Sequence, residues 1–549
     1  MREKFDWLNE SSKEFLNEGY LIEGVTPEER IKQIADKAEE ILGEEGFSDK
    51  FYDYMSRGWY SLATPVWLNF GLDRGLPISC YGIDIQDDTY DILRANAEIG
   101  SFTKNAGGTA AYFGELRPRG SKIKNNGVSN GAVSFMQKFQ TTTNVITQGQ
   151  ARRGYFAAYM PAEHGDIEEF LECREEGSSI QDIGLAVSFS DNFMKETKEG
   201  KKENKKTLAK YHKKRFESGF PYAYFVDNVN RQRPQVYKDK NMYLKTSQMC
   251  SEIMEYVDDY VSFVCCLSSQ NALYWDEWKG TDATQVLTKF LYAVYQDFIN
   301  KAEGLPFMEK AVKFAKEHKS IGIGILGFHS YLQSKMIPFE SLETKTLSHQ
   351  ITKHLKDKSL EASKELASKF GEPELLKGYG EMFTTRTAIA PTTSSSFILG
   401  QVSPSIEPLQ SNYFVKDLAK GKFTFKNPHL LGLLDKKGKN DNETWKSIMQ
   451  KGGSVQHLEF LSNEEKSVFK TFGEISQLEI VQNASVMQKN IDQGISLNLM
   501  VHPEAGLKEA NNLFYTAWEL GLKSLYYQRS ANMAQEVSRT LMECSSCEG

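Results

Sequence analysis

No stretch of this 549-residue chain is long and apolar enough to cross a membrane; its apolar runs, such as Ile321 to Phe328, are short and broken by glycine. The amino terminus, Met1-Arg2-Glu3-Lys4-Phe5-Asp6, lacks the apolar core of a signal peptide, so the expectation is a cytosolic protein. Cysteine is scarce. The seven present, Cys80, Cys173, Cys250, Cys265, Cys266, Cys544 and Cys547, are too few and odd in number for a disulfide framework, and in a reducing compartment they read as catalytic, redox-active or core thiols. Cys544 and Cys547 form a CxxC, but there is no second CxxC to complete a four-cysteine zinc site, and none of the nine histidines falls in a metal-ligand motif. No metal site is expected. An excess of positive charge is also missing: a net charge of −7 argues against a bulk polyanion binder and leaves room only for individual phosphate pockets. Neither an internal repeat nor a low-complexity tract is present.

What remains is ordinary globular composition over a length that suggests two to four domains, or one large α/β barrel that absorbs most of the chain. Residues 1–75 read as helical. Thr26-Pro27-Glu28-Glu29 combines an N-cap, a proline at the first helical position and a capping-box carboxylate, with Ile31, Ile34, Ala35, Ala38 and Ile41 following at helical spacing and Gly43 ending the run. From about residue 76 short apolar runs alternate with helical stretches and glycine turns, as in an α/β body. Val133, Met136 and Phe139 mark one helix face suited to core or dimer packing. The lysine-rich stretch 195–215 reads as a solvated loop or exposed helix face. Residues 530–549 carry weak apolar patterning and read as a mobile tail.

Chemistry concentrates in Ser247-Gln248-Met249-Cys250-Ser251-Glu252-Ile253. If this segment is extended, side chains alternate, and the Gln248 amide, the Cys250 thiol and the Glu252 carboxylate share one face. Cys80 in Ile78-Ser79-Cys80-Tyr81 and Cys265 in Val264-Cys265-Cys266-Leu267 are each, taken alone, ordinary core cysteines. With Cys250 and the terminal CxxC they offer a redox site and a means of re-reducing it. Thr392, Thr393, Ser394 and Ser395 after Pro391 present hydroxyls and amides in a row, suited to a diphosphate at a helix start. Tyr526 and Tyr527 lie in an aromatic-rich stretch that reads as a strand.

Taken in order, these motifs resemble the large, catalytic subunit of class I ribonucleotide reductases, from about residue 10 to the last. The resemblance implies a ten-stranded α/β barrel of two five-stranded halves with a central finger loop. It places an N-terminal helical domain at 1–75 without an ATP-cone, the barrel with inserted helices and allosteric loops at 76–529, and a flexible redox tail at 530–549. By the same resemblance Cys250 becomes a thiyl radical that takes the substrate 3′ hydrogen, and Glu252 accepts the 3′-hydroxyl proton. Cys80 protonates the departing 2′-hydroxyl, and the Cys80/Cys265 pair supplies two electrons and ends as a disulfide. Cys544 and Cys547 regenerate that pair by thiol exchange. The 17 residues from Tyr527 to Cys544 reach about 60 Å when extended, enough to visit a buried pocket. Tyr526 and Tyr527 relay the radical from a separate small (beta) subunit with a metal/tyrosyl centre, so this chain itself binds no cofactor. Pro391 to Ser395, Thr64 and Ser79 contact substrate. Asp87 or Asp88, with Gln148 and Arg152 in a flexible loop, read ATP or dNTP effectors. Thioredoxin or glutaredoxin is the implied reductant, and an alpha2 homodimer in an alpha2beta2 assembly is expected, with neither membrane nor nucleic-acid partners.

One position departs from the family. Most members carry asparagine two residues before the radical cysteine, where this chain has Gln248, so the amide is displaced by about one methylene. That leaves two alternatives, an adenosylcobalamin-dependent class II-like reductase and a catalytically impaired nucleotide-binding homologue. The adjacent tyrosine pair weighs against the first, and intact Cys80, Cys250, Glu252 and Cys265 against the second. A thiol-disulfide oxidoreductase resting on the CxxC alone is poorer, because the motif lies at a chain end.

Overall fold

The structure, a computed structural model, describes residues 2–105, 107–146, 154–418, 421–502 and 506–529. Three helices open the chain, α1 (Glu10–Asn17), α2 (Pro27–Leu42) and α3 (Phe47–Ser56). The capping box at α2 forms as the sequence requires: the Thr26 side chain accepts from the Glu29 N–H, Glu29 reaches back to the Thr26 N–H, and Gly43 closes the helix in a left-handed conformation at φ 58°. Ile31, Ile34, Ala35, Ala38 and Leu42 are its buried face, with Ile41 only partly covered. The helical reading of residues 1–75 needs one amendment, because β1 (Tyr60–Leu62) falls inside it and pairs antiparallel with the end of β7 (Phe263–Asn271).

The main sheet contains β2 (Cys80–Asp84), β3 (Gly108–Tyr112), β4 (Tyr155–Pro161), β5 (Gly184–Phe189), β6 (Tyr222–Phe225), β7, β8 (Ser320–Leu326) and β9 (Thr385–Thr387). After the surface hairpin β10 (Tyr413–Leu418) and β11 (Gly421–Lys426) come the short strands β12 (Leu499–Met500), β13 (Ser524–Leu525) and β14 (Gln528–Arg529). The ten-stranded sheet runs in the order β13-β6-β5-β4-β3-β2-β7-β8-β9, with β1 beside β7. Strands β2 to β6 are mutually parallel, as are β7 to β9, and the two sets meet antiparallel at β2/β7. Buried on both faces, strands such as Tyr-Phe-Ala-Ala-Tyr-Met-Pro in β4 are near-continuous apolar runs, the pattern of parallel sheets covered by helices.

Backbone hydrogen bonds carry the ladder on from β9. Gln493 N–H donates to Thr387 O at 3.1 Å and Ser496 N–H to Ile389 O at 2.9 Å; Tyr526 N–H then donates to Leu497 O at 2.9 Å and Leu499 N–H to Tyr527 O at 3.0 Å. β13 pairs antiparallel with β6 and closes the ring. Two five-stranded halves result: β2 to β6, and β7, β8, β9, residues 493–500 and residues 524–529. Helices pack outside, among them Ala283–Ala302, buried around almost its whole circumference, and Ala132–Val145, whose Val133, Met136 and Phe139 are core. The lysine-rich stretch folds as helices Asp191–Glu199 and Lys202–Ser218, the second with Leu208, Tyr211, His212 and Arg215 turned inward and its lysines largely outward. No helix among the described residues is long and apolar enough to cross a membrane.

Candidate active site

Residues 242–258 have no regular structure and lead into β7. They are held from both halves of the ring. Tyr159 Oη on β4 donates to Gln248 O at 2.7 Å, Ser524 Oγ on β13 to Ser251 O at 3.0 Å, Gly494 N–H to Glu252 O at 2.7 Å, and Met254 N–H to Gln493 Oε1 at 3.0 Å. A loop anchored on opposite walls lies inside the barrel. Gly494 allows the closest approach: a Cβ there would stand 2.6 Å from Met254 Cε and 3.1 Å from Glu252 O.

The expected extended alternation is not what forms. Residues 248–251 turn, with Ser251 N–H donating to Gln248 O at 3.2 Å and Ser251 at φ 68°. The cause is Gln248 itself, whose Oε1 accepts from the Cys250 N–H and, at 2.8 Å, from the Ser251 N–H, so the chain folds over its own side chain. The other end of the amide, Nε2, lies 3.9 Å from Cys80 Sγ. Gln248, Cys250 and Glu252 are nonetheless all buried in this one turn.

Cys80 and Cys265, distant in sequence, are direct cross-strand partners at the antiparallel seam β2/β7. Opposed residues in such a ladder have Cα atoms about 4.5–5.5 Å apart, within the span a disulfide needs. Ser79 Oγ is 3.6 Å from Cys80 Sγ, while Cys265 Sγ is approached by Ser320 Oγ at 3.5 Å and Gln493 Nε2 at 3.6 Å. Burial pushes the Cys265 thiol well above the usual range, so it rests protonated. Its neighbour Cys266 alternates onto the other side of the strand.

Glu252 Oε2 accepts from Ser496 Oγ at 2.6 Å, and Ser496 Oγ also reaches Cys250 O. Burial raises the Glu252 pKa to about 7, against the opposing hydrogen bonds from Ser496 and Gln248. A carboxyl so placed exchanges a proton readily near neutrality. Tyr526 and Tyr527 sit between β13 and β14, buried, with ring centroids 4.2 Å apart, and the Tyr222 ring of β6 lies 4.6 Å from that of Tyr526, tilted by 41°. Both tyrosines share a buried cluster with Cys250, Met249 and Met254.

The hydroxyl-rich stretch opens a helix, as the sequence suggests: Thr392 caps Thr393–Ile398 from φ 51°, with its Oγ1 accepting from Ser405 N–H at 2.7 Å. Ser394 Oγ is buried without a protein partner, Thr393 is exposed, and Pro391 is partly covered. Thr64 begins the helix Thr64–Asn69 and donates to Tyr20 Oη at 3.3 Å. Asp88 caps the helix Thr89–Lys104, whereas Asp87 pairs with Arg117 at 2.5 Å, so both stand away from the barrel centre at a helix start. Gln148, Arg152, Cys544 and Cys547 lie outside the described residues. Sequence reasoning missed Ser496, Gln493, Ser320 and Glu255. Only Glu255, a carboxylate amid Ile253-Met254-Glu255-Tyr256-Val257, carried a signal, that of a charge in an apolar run.

The chain matches the family model described as "Ribonucleotide reductase, barrel domain" over residues 78–209, 200–375 and 372–528, and that described as "Ribonucleotide reductase, all-alpha domain" over residues 6–75. It belongs to the ribonucleotide reductase large-subunit family. Among family members, the ribonucleoside-diphosphate reductase large subunit of Invertebrate iridescent virus 3 is 31% identical, with 97% of each chain covered. A putative large subunit from Frog virus 3 is also 31% identical, over 92% of this chain and 93% of that one. The solved Actinobacillus ureae class Id ribonucleotide reductase alpha subunit is 50% identical, with a TM-score of 0.93 over 97% of this chain and 99% of that one.

Proposed function

We propose that the chain is the catalytic subunit of a ribonucleoside-diphosphate reductase, converting ribonucleotides to 2′-deoxyribonucleotides by thiyl-radical chemistry for DNA synthesis. The observation that carries this reading is the cross-strand register of Cys80 and Cys265 beneath the turn that holds Cys250 and Glu252. Cys250, as a thiyl, takes the 3′ hydrogen of the ribose, and Glu252 accepts the 3′-hydroxyl proton. Cys80 gives its proton to the departing 2′-hydroxyl, which leaves as water, and the pair's two electrons and remaining hydrogen complete the 2′-methylene. Cys80 and Cys265 end as a disulfide and Cys250 recovers its radical. The raised Glu252 pKa supports its part, since the proton must be held and returned within one turnover.

Pro391 to Ser395 hold the diphosphate, with the unsatisfied Ser394 hydroxyl in support, and Thr64 and Ser79 meet the ribose. Gln248 orients substrate through its Nε2 end. The close contact of the Tyr526 and Tyr527 rings supports a relay from a radical-generating small subunit with a metal/tyrosyl centre. The tail Cys544/Cys547 passes electrons from thioredoxin or glutaredoxin to the barrel, giving a division into residues 1–75, 76–529 and 530–549. Asp87 or Asp88, Gln148 and Arg152 read ATP or dNTP effectors at a homodimer contact within an alpha2beta2 assembly. The apolar side chains Tyr90, Leu93 and Val145, exposed on the helices Thr89–Lys104 and Ala132–Val145, support that contact.

The test is CDP reduction with dithiothreitol and candidate radical subunits. Deoxycytidine diphosphate is expected from the native chain and none from Cys250→Ala; equal product from both would sink the reading.

A further inference from the structure

Beyond Cys265, across the Ser320 hydroxyl, a second buried carboxyl stands without a part in the chemistry above. Glu255 is fully enclosed, and each of its oxygens is engaged: Oε1 by Ser320 Oγ at 2.6 Å and by Thr385 Oγ1, Oε2 by Tyr237 Oη at 2.7 Å. Ser320 is the hinge of the arrangement. Its single hydroxyl lies within reach of both Glu255 Oε1 and Cys265 Sγ, so a proton entering from the carboxyl side lets Ser320 pass its own to sulfur. Other titratable groups near Glu255 are Tyr237 and, 2.9 Å behind it, His318; Tyr295, whose Oη accepts from the Ser320 N–H at 3.0 Å; and Asp492 and Lys523 on the strand segments that close the ring. Burial keeps His318 neutral, with its pKa lowered to about 3.

A disulfide between Cys80 and Cys265 is not attacked symmetrically. Cys80 retains 8% exposure and Cys265 none, so an external thiolate reaches Cys80 Sγ. Cys265 must then leave as a thiolate in a site where burial strongly disfavours that charge.

We propose that Glu255, acting through the Ser320 hydroxyl, protonates the Cys265 thiolate expelled when the Cys80–Cys265 disulfide is reduced. This rests on the function proposed above. The external thiolate bonds to Cys80 Sγ, the Cys80–Cys265 bond breaks, and its electron pair goes to Cys265. One proton moves from Glu255 to Ser320 Oγ while the Ser320 proton moves to Cys265 Sγ. The second thiolate of the external dithiol then displaces Cys80, which takes its proton from the open side of the pocket. The two protons shed by the dithiol balance those gained by Cys80 and Cys265, one of them by way of Glu255. Glu255 and Ser320 are thus positioning groups for a proton and do not touch substrate.

Burial raises the Glu255 pKa to about 7, so the donor form is lost as pH rises through neutrality. The experiment uses the full chain oxidised with diamide, then reduced with dithiothreitol between about pH 6 and 9, with Cys80 and Cys265 thiols counted by alkylation and mass spectrometry. For the native chain, the rate constant per dithiothreitol thiolate is expected to fall as pH rises above about 7. In Glu255→Gln, which keeps the shape and hydrogen-bonding reach of the side chain, it is expected to be about a hundredfold lower at pH 6 and independent of pH, the loss of one positioned acid. Ser320→Ala supplies the same test where the glutamine variant does not fold. A per-thiolate rate that still falls with pH in a folded variant overturns the relay. Failure of the parent reading looks different: no Cys80–Cys265 disulfide would accumulate after one turnover with CDP and a radical subunit, whatever the diamide-oxidised chain does.

Discussion

Glu252 and Gln248 decide how the turn around Cys250 behaves. As a base, Glu252 works in its charged form, so kcat/KM is expected to drop as pH falls through about 7, and Glu252→Gln to abolish turnover. Ser496→Ala removes the hydrogen bond that most opposes the burial effect, so this acid limb is expected to move to higher pH; an unmoved pH profile would show that Ser496 does not tune the carboxyl. Gln248 spends its carbonyl oxygen on two backbone N–H groups of the turn. Asparagine makes the same local bonds from a shorter arm, as in an Asx turn. Gln248→Asn is therefore expected to leave the melting temperature and CDP turnover close to native, whereas Gln248→Leu strands both donors at about 1–3 kcal/mol each. A large gain in turnover with asparagine would instead mark glutamine as a defect.

At the scale of elements, the parts written locally were readable and the parts made by distant pairing were not. The α2 start could be read from Thr26-Pro27-Glu28-Glu29 because every group in a capping box lies within one turn. Thr26→Ala is expected to cost about 1 kcal/mol, measurable as a lower urea midpoint. The helix after Thr392 was legible for the same reason. The turn at Gln248–Ser251 was not, because a glutamine reaching back to its own backbone leaves no periodic trace. Residues 524–529 read as a strand from their aromatic run and residues 495–499 alternate apolar and polar side chains, yet neither pattern names a partner, because the ladders are short and pair segments far apart along the chain. Thus Ser496 and Gln493, which touch Glu252 and Cys265 respectively, were invisible until the ring closed. Gly494 makes that closure: Gly494→Ala is expected to break its bond to Glu252 O and abolish turnover while circular dichroism stays native-like.

Over the whole molecule, two sets of neutral buried groups oppose each other. Burial raises Glu252, Glu255 and Glu407 to about 7, so between about 4.3, the unfolded carboxyl value, and 7 the folded state holds protons the unfolded chain lacks, and stability falls as pH rises. Burial lowers His212, His318 and His329 to about 3 and His429 to about 4, so from there to about 6.5 the unfolded chain holds the extra protons and stability rises with pH. The slopes offset each other in the shared window, and below it the imidazoles act together with paired carboxylates such as Asp276, held down to about 2 by Lys279 and Lys335, giving a steep acid loss. Glu407→Gln removes one opposing proton and is expected to steepen the rise between pH 5 and 6 by up to about 1.4 kcal/mol per pH unit in urea titrations.

The antiparallel seam has one more consequence. A bond from Cys80 to Cys265 would fasten one half of the barrel to the other across a loop far longer than a hundred residues, a cross-link that by chain entropy is worth about 5 kcal/mol. The spent enzyme is then harder to unfold than the ready one, and a reductant must undo a brace each time it restores the catalyst.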